Sequence, residues 1–584
     1  VAEAEAERET DVRKALILAA AVVLLHVVMS APFAGEVYCP DESMMATRAM
    51  HMASGNLTWT HPSRGMGLPG YPIALMPAAW LSAGDPAWLW RWAQFENALL
   101  AGAVVLLAFM ALRQRFGERA ALCGAAAVAL YSANVVMPAL VLSENLALPL
   151  LWGAVWCAGR IASASTIDEV DAFWARWQWE RKSLGINPLP RRPEQWCILL
   201  WWRVRLAICR SMEVFFRHPA WRWWLLLALI SVVTCCTRLT SAPVMAGLAV
   251  IAGVSVVKLG RRRRSWGILG LLALVVATLA AWKWLPYRMG GAEFWDLVGL
   301  SRDCSPGFPF SGFAAALGMD LGYVVVGSLG LVVPFAVWLW RRPRGLDSLF
   351  VAAVAVGTLA LVAAAMGVGF WQAGERLIGR YLDPLVTLAL AFGAAVLVSE
   401  RRYWLLVGGA AVALALALVA RQWFGVGTAL NNLGVTWVFE SPWLLLPLGV
   451  AALVAIAPRF RWWAVLLVGV TLAVPAYGAA YEQAQTFRQY AEFAFDAGPE
   501  LRAWSARHPA RPARLYAMPV PPELHWARAA YGCEIERMNP GWILLDVPGD
   551  GFVPAGSLLL SRGDAPGRIV FARGPWTITE VTVP

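Results

Sequence analysis

The sequence predicts a mainly α-helical, polytopic membrane protein: a helical bundle of about thirteen spans, followed by a small extracytoplasmic C-terminal domain of α/β or β-rich character. Three observations predict it. Hydrophobic residues make up 59% of the 584-residue chain and charged residues 15%, with a mean hydropathy of +0.57, which is too apolar for a soluble chain of this size. Apolar runs long enough to cross about 30 Å of hydrocarbon recur from Lys14 onward, and basic residues gather in the short connections between them. From about Gln483 the composition changes to Pro, Arg and Asp interspersed among short apolar runs. The net charge of +11 follows from the positive-inside bias of the loops and excludes no membrane role; it is not the footprint of a nucleic-acid partner.

Residues 1–482 form the expected transmembrane, chemistry-bearing part. The first run, Ala15 to Val28, reads as a retained anchor that leaves the N-terminus in the cytoplasm of a bacterial-type inner membrane. Its span, from near Lys14 to Pro32, delivers the first outer loop, residues 35–95. That loop holds an apolar piece from Tyr71 to Leu81, interrupted by Pro72 and Pro77, which suits a helix at the interface. Glu96 to Leu112 and Ala120 to Met137 are the next spans, joined by the basic turn RQRFGER, and Asn145 to Ala162 returns to the cytoplasm.

Residues 163–220 interrupt the pattern. Arg203, Arg205 and Arg210 are too costly at mid-membrane, so this insertion reads as cytoplasmic, with an amphipathic helix on the inner leaflet. Further spans follow at Trp223 to Thr237, Pro243 to Val257 and Trp266 to Leu285, then one ending at WRRPR, one from Leu349 to Gly367, one after WQAGERLIGRYLDP, and three more. An odd number of crossings leaves residues 483–584 outside the membrane. Strands are expected there in ARLYAMPV, GWILLDVPG, SLLLSR and RIVFAR.

The first long polar stretch, YCPDESMMATRAMHMASGNLTWTHPSRGMGLPGYP, puts adjacent acids just outside the first span. A helix over residues 42–53 places Asp41, Met44, Arg48 and His51 on one stripe and Glu42, Met45, Ala49 and Met52 on a neighbouring apolar one. Asp41 then either faces water and substrate or caps the helix. Glu144, in LVLSENLALP, stands at the outer start of the fourth span, where it is a cap or a second acid at the depth of Asp41. Two such acids can orient an acceptor hydroxyl, take its proton or hold a divalent metal.

Cations accompany them on the outer side, against the positive-inside bias. Arg376 and Arg380 are four residues apart with Tyr381 beside them, Arg238 stands at an outer turn, and Arg64 and His61 lie in the first loop. Guanidinium groups suit a phosphate because their planar donors bind its oxygens in pairs. Structural salt bridges with Glu375 and Asp383 are the competing use. Of the nine cysteines, Cys39 and Cys304 fall in outer loops, where they are either a disulfide or two free thiols.

The order of these features resembles the polytopic glycosyltransferases of the GT-C superfamily, which take a sugar from a polyprenyl-phosphate carrier at the outer membrane face. PDESMMATRAMHMASGNLTWTHP looks like the first-loop motif of the aminoarabinose transferases of lipid A and the protein O-mannosyltransferases. The resemblance implies Asp41, with Glu42 beside it, as the catalytic acid pair acting on the acceptor hydroxyl, and Glu144 as the second acid. It implies Arg380 and Tyr381 as the RY pair that binds the carrier phosphate, with Arg238 in an equivalent outer turn. The Lys-Pro-Pro element of the lipid A enzymes is absent, and SRGMGLPGYP stands in its place with Arg64 as a substitute. The implied partners are a polyprenyl-phosphate-linked sugar, a cell-envelope acceptor and the membrane, with no nucleic acid. No nucleotide cofactor is expected, and a divalent metal at Asp41 and Glu144 is left open. A transporter or flippase of a lipid-linked or polyanionic substrate is the competing class; it places charges at mid-bilayer and carries repeated halves, and neither is legible here.

Overall fold

The computed structural model describes residues 2–33, 41–57, 69–164, 221–238, 241–258, 310–341, 345–365, 379–400, 403–420, 461–511, 513–519, 542–547, 553–563 and 567–582, together with residues 433, 435, 531, 532, 534 and 535. Helix α1 (Ala2–Ser30) is followed by α2 (Asp41–Ala53), the short α3 (Gly70–Ala74) and α4 (Met76–Leu81), and then α5 (Pro86–Phe116). Asp85 caps α5 by accepting from the backbone N–H of Ala87 at 2.8 Å and of Trp88 at 3.3 Å, Pro86 occupies its first turn, and Gly117 ends it at φ 76°. These are the start and stop signals that physical chemistry favours. With 31 residues, α5 is about 46 Å long, well beyond the expected Glu96 to Leu112. Its extra turns carry Leu89, Trp90 and Ala93, which bury Met45, Ala46 and Ala49 of α2 and Leu75, Ala78 and Ala79 of the short helices. The expected interfacial piece from Tyr71 to Leu81 is this α3–α4 pair.

Two expected straight spans are broken. Residues 118–129 (α6) and 132–139 (α7, Ser132–Val136, plus a 3-10 turn at Met137–Ala139) meet at 63°, and 312–327 (in α11) meets 332–341 (α12) at 105°. Helix α8 (Glu144–Ala164), α9 (Trp221–Thr237), α10 (Pro243–Lys258) and α13 (Leu346–Ala365) lie close to their expected bounds, and α14 (Asp383–Glu400) and α15 (Tyr403–Ala420) follow in the apolar region after them. Among the described residues, five helices are long and apolar enough to cross a membrane, or seven if each bent pair is one span. The chain is thus a multi-pass membrane protein. The expected span from Trp266 to Leu285 and most of the insertion at 163–220 lie outside the described residues.

Ion pairs fasten one end of the bundle: Arg115 at the end of α5 with Asp347 at the start of α13, Arg113 with Glu118 at 3.0 Å, and Arg341 with Glu400 at 3.2 Å. Gly159 of α8 lies against Gln114 at that same end. Glu144, at the first residue of α8, is therefore at the opposite end. One departure concerns mid-helix charge. Asp320 of α11 is fully buried, and neither of its carboxylate oxygens has a hydrogen-bond partner among the described residues.

The 47-residue α16 (Arg461–Arg507) is about 70 Å long and runs on into a five-stranded sheet ordered β2-β1-β3-β5-β4. β1 (Arg514–Ala517) pairs in parallel with β2 (Ile543–Asp546) and β3 (Leu558–Arg562), while β4 (Arg568–Arg573) and β5 (Trp576–Glu580) complete it antiparallel. Four of these strands fall in the apolar runs named from sequence. Phe493, Ala494, Ala497, Leu501 and Trp504 of α16 pack on Leu515, Leu558, Leu560 and Ile578 of the sheet.

Candidate functional site

Three chain ends meet at the end of the bundle away from the ion pairs. Glu144 opens α8, Arg238 follows the last residue of α9, and Arg380 lies in the 3-10 turn Gly379–Tyr381 just before α14. The positive end of α8 favours a carboxylate and the negative end of α9 favours a guanidinium, so each charge sits where its helix stabilises it. Arg238 forms an ion pair with Glu144, and Nη1 of Arg380 lies 3.8 Å from the same oxygen, Oε1. Ser143 Oγ donates to the other oxygen at 3.3 Å. The Tyr381 ring underlies both cations, 4.6 Å from Arg238 and 5.4 Å from Arg380. All three charged side chains are nearly enclosed, at 5% exposure for Glu144, 7% for Arg380 and 11% for Arg238. A buried site with two guanidinium groups converging over an aromatic face suits a phosphate. Gly70 of α3 touches Thr237, beside Arg238: a Cβ there would sit 2.5 Å from Thr237 Oγ1 and 2.8 Å from the Cys236 carbonyl oxygen. The start of α3 is thereby packed against the residue that precedes Arg238.

Sequence reasoning offered Asp383 as a salt-bridge partner for the arginines. Instead its Oδ1 accepts from Tyr131 at 2.5 Å and from Tyr323 at 2.8 Å. Tyr131 stands between α6 and α7, and Tyr323 stands one turn before the end of α11, so a single carboxylate ties both broken helices to the turn that bears Arg380 and Tyr381. Gly379 makes this possible, since a Cβ there would lie 2.0 Å from Tyr323 Cε2. Gly379→Ala is expected to cost about 1–3 kcal/mol, read as a lower apparent Tm in detergent.

A second buried polar network holds the segment that leads to Glu144. Gln94 Nε2 donates to the carbonyls of Phe33 at 2.7 Å and Ala139 at 3.1 Å, Asn97 Nδ2 to Leu140 at 2.9 Å, and Asn145 Nδ2 to Leu140 at 2.7 Å and Met137 at 3.1 Å. Tyr71 donates to Asn97 Oδ1 at 2.9 Å. Glu42, fully buried, accepts from the Val141 N–H at 2.6 Å. The expected apolar stripe of α2 is interior as predicted, with Glu42, Met45, Ala49 and Met52 all buried. Arg48, placed with Asp41 on the neighbouring stripe, is also interior at 2% exposure, because α3 to α5 wrap a wider arc of the helix than one stripe. Burial lowers its pKa to about 10 and lowers that of His51 as well, so Arg48 stays charged and His51 neutral at pH 7.

The structure thus brings together Glu144, Arg238, Arg380 and Tyr381, and joins Glu42 to the strand of chain leading to Glu144. Asp41 is the first residue of α2, and its side chain lies outside the described residues, as do His61, Arg64, Arg376, Cys39 and Cys304. Among the described residues no group of three His, Cys, Asp or Glu converges as a metal site. Sequence reasoning missed Tyr131, Tyr323, Gln94, Asn97 and Asn145. A signal existed: amides inside otherwise apolar helices are costly unless they meet a partner.

Comparison with solved structures places the fold. The chain superposes over 96% of its length on 97% of ArnT from Cupriavidus metallidurans bound to undecaprenyl phosphate, with a TM-score of 0.57 and 14% identity. Against the apo state of the same protein the TM-score is 0.54 at 16% identity, with the same coverage of 96% and 97%. The archaeal oligosaccharyltransferase AglB from Archaeoglobus fulgidus, in complex with an inhibitory peptide and a dolichol-phosphate, matches at a TM-score of 0.41 and 11% identity, covering 93% of this chain and 69% of that one. No protein-family model and no curated protein matches the chain. The fold is the GT-C glycosyltransferase fold.

Proposed function

We propose that this GT-C-fold chain is an inverting glycosyltransferase that moves a sugar from a polyprenyl-phosphate donor to an acceptor hydroxyl at the outer face of the membrane. The observation that carries the reading is the convergence of Arg238 and Arg380 on one carboxylate over the Tyr381 ring, at a buried helix-end junction. The undecaprenyl phosphate held by ArnT supplies the class of anion.

In this reading the acceptor oxygen attacks the anomeric carbon and forms the new C–O bond while the bond from that carbon to the phosphate oxygen breaks. The electron pair leaves with the polyprenyl phosphate. Its extra negative charge falls on Arg238 and Arg380, which lowers the barrier because the donors are in place before the charge develops. Asp41 takes the proton of the acceptor hydroxyl. Attack opposite the leaving group inverts the anomeric centre. The surroundings of Glu144, two guanidinium groups and a hydroxyl, favour an anion over a divalent cation, so a metal, where one is used, has Asp41 as its candidate ligand.

The test is transfer of labelled sugar from a panel of polyprenyl-phosphate sugars by purified protein in detergent, with membrane extract as acceptor, comparing wild type with Asp41→Asn. The expected result is transfer by the wild type, a loss of 100-fold or more in the variant, about what a general base contributes, and unchanged binding of the carrier. Equal transfer in both returns Asp41 to helix capping. Absence of transfer from every donor moves the assignment to a transporter.

A further inference from the structure

We infer that Glu42 is a positioning residue and not the partner base of Asp41: its buried carboxylate, bonded to the Val141 N–H, sets the spacing between α2 and the segment that carries Glu144. The inference rests on the transferase reading and concerns how its two acids are held. Glu42 is fully buried on the interior stripe of α2, and its Oε1 accepts from Val141 N at 2.6 Å. Val141 is locked twice, since its side chain belongs to the same apolar cluster as Met45, Ala46 and Ala49 of α2. Asp41 is the residue before Glu42, and Glu144 is three residues after Val141. One hydrogen bond therefore connects the residue next to Asp41 with the residue three before Glu144.

The carbonyls on the other side of this segment are already taken. Asn97 and Asn145 hold Leu140, and Gln94 holds Ala139. The Val141 N–H is held by Glu42, from a different element, α2. A buried donor that loses its acceptor costs more than the bond itself is worth, so the segment moves to find another. Such a shift is felt at Glu144 and Asp41, while Arg238, Arg380 and Tyr381 are anchored on α9 and the turn before α14. Glu42 needs only an acceptor oxygen for this role, which a carboxamide supplies; a base needs the charge.

Glu42→Gln and Glu42→Leu distinguish these, with two readouts on the full-length protein in detergent. Hydrogen exchange of a peptide spanning residues 137–143 reports the bond, and sugar transfer reports the chemistry. Glu42→Gln is expected to keep both: protected amides, kcat within about threefold of wild type and an unshifted pH profile. Glu42→Leu is expected to raise exchange in that peptide and lower kcat by tenfold or more. A Glu42→Gln variant that loses transfer as fully as Asp41→Asn overturns the inference and makes Glu42 a member of the acid pair. Unaltered exchange in Glu42→Leu overturns it too. If the wild type transfers no sugar while the exchange pattern is as expected, the transferase reading fails and the positioning role falls with it; the exchange data then show that the bond itself was correctly identified.

Discussion

Arg238→Ala and Glu144→Gln are expected to shift the affinity for a polyprenyl phosphate in opposite directions. In the resting site Glu144 holds both guanidinium groups, so an arriving phosphate competes with it for the same donors. Removing Arg238 deletes a charge-assisted contact worth about 1.5–3 kcal/mol, or roughly 10- to 150-fold in affinity. Removing the charge of Glu144 frees the cations, and carrier affinity rises, by about tenfold if the carboxylate competes with the strength of one such bond. Titration of undecaprenyl phosphate into the detergent-solubilised protein, followed by native mass spectrometry or calorimetry, measures both. Glu144→Gln is also expected to lower kcat, since the phosphate it binds more tightly is the product as well. If the cluster is only a structural salt bridge, both variants lose stability and neither alters carrier binding. Breaking a buried pair from one side costs about 3–5 kcal/mol, so Arg238→Ala is read alongside its Tm and alongside Arg238→Lys, which keeps a charge but loses the planar fork.

The largest stability effect is expected at Asp383. Its replacement by alanine leaves the buried hydroxyls of Tyr131 and Tyr323 without their acceptor, at about 1–3 kcal/mol for each. It also loosens the turn carrying Arg380 and Tyr381, three and two residues before it, so carrier affinity falls together with the apparent Tm. Asp383→Asn, which retains an oxygen at Oδ1, is expected to recover most of both. Combining Asp383→Leu with Tyr131→Phe and Tyr323→Phe removes all partners at once and is expected to be less destabilised than Asp383→Ala alone. A triple variant worse than the single one shows that the carboxylate has a partner beyond the two phenols.

The sequence carried the membrane architecture in its hydropathy, because the length of an apolar run and the sign of the charges at its ends are local quantities. Helices α8, α9 and α10 begin and end within a few residues of the expected bounds for that reason. The breaks at Tyr131 and after Gly327 were not legible. The runs on both sides are mostly apolar, and Asp383, which accepts from a tyrosine near each bend, lies far from both in sequence. At the site, Glu144, Arg238, Arg380 and Tyr381 could each be named because charge on the outer side of a membrane protein is unexpected. Their mutual contacts could not, since they come from three separate chain ends. Asp383 was assigned to the arginines by proximity in sequence, whereas the tyrosines that hold it are 252 and 60 residues away. That Glu42 is fully buried and bonded to the Val141 N–H could not be read from its place beside Asp41 in the chain.

The sharing of one carboxylate oxygen by Tyr131 and Tyr323 has a consequence for how this chain can diverge. A lineage that loses the acid at 383 strands two phenols at once, and a lineage that loses one phenol leaves the acid with half its support. The three positions are therefore expected to be replaced as a set, with apolar residues arriving at all of them or at none. Sequences in which the set has changed should also differ in the glycine at 379, which leaves room for the ring of Tyr323. Coordinated replacement at 131, 323, 379 and 383 among homologues is thus a record, written in descent, of the pin that joins both bent helices to the turn bearing Arg380 and Tyr381.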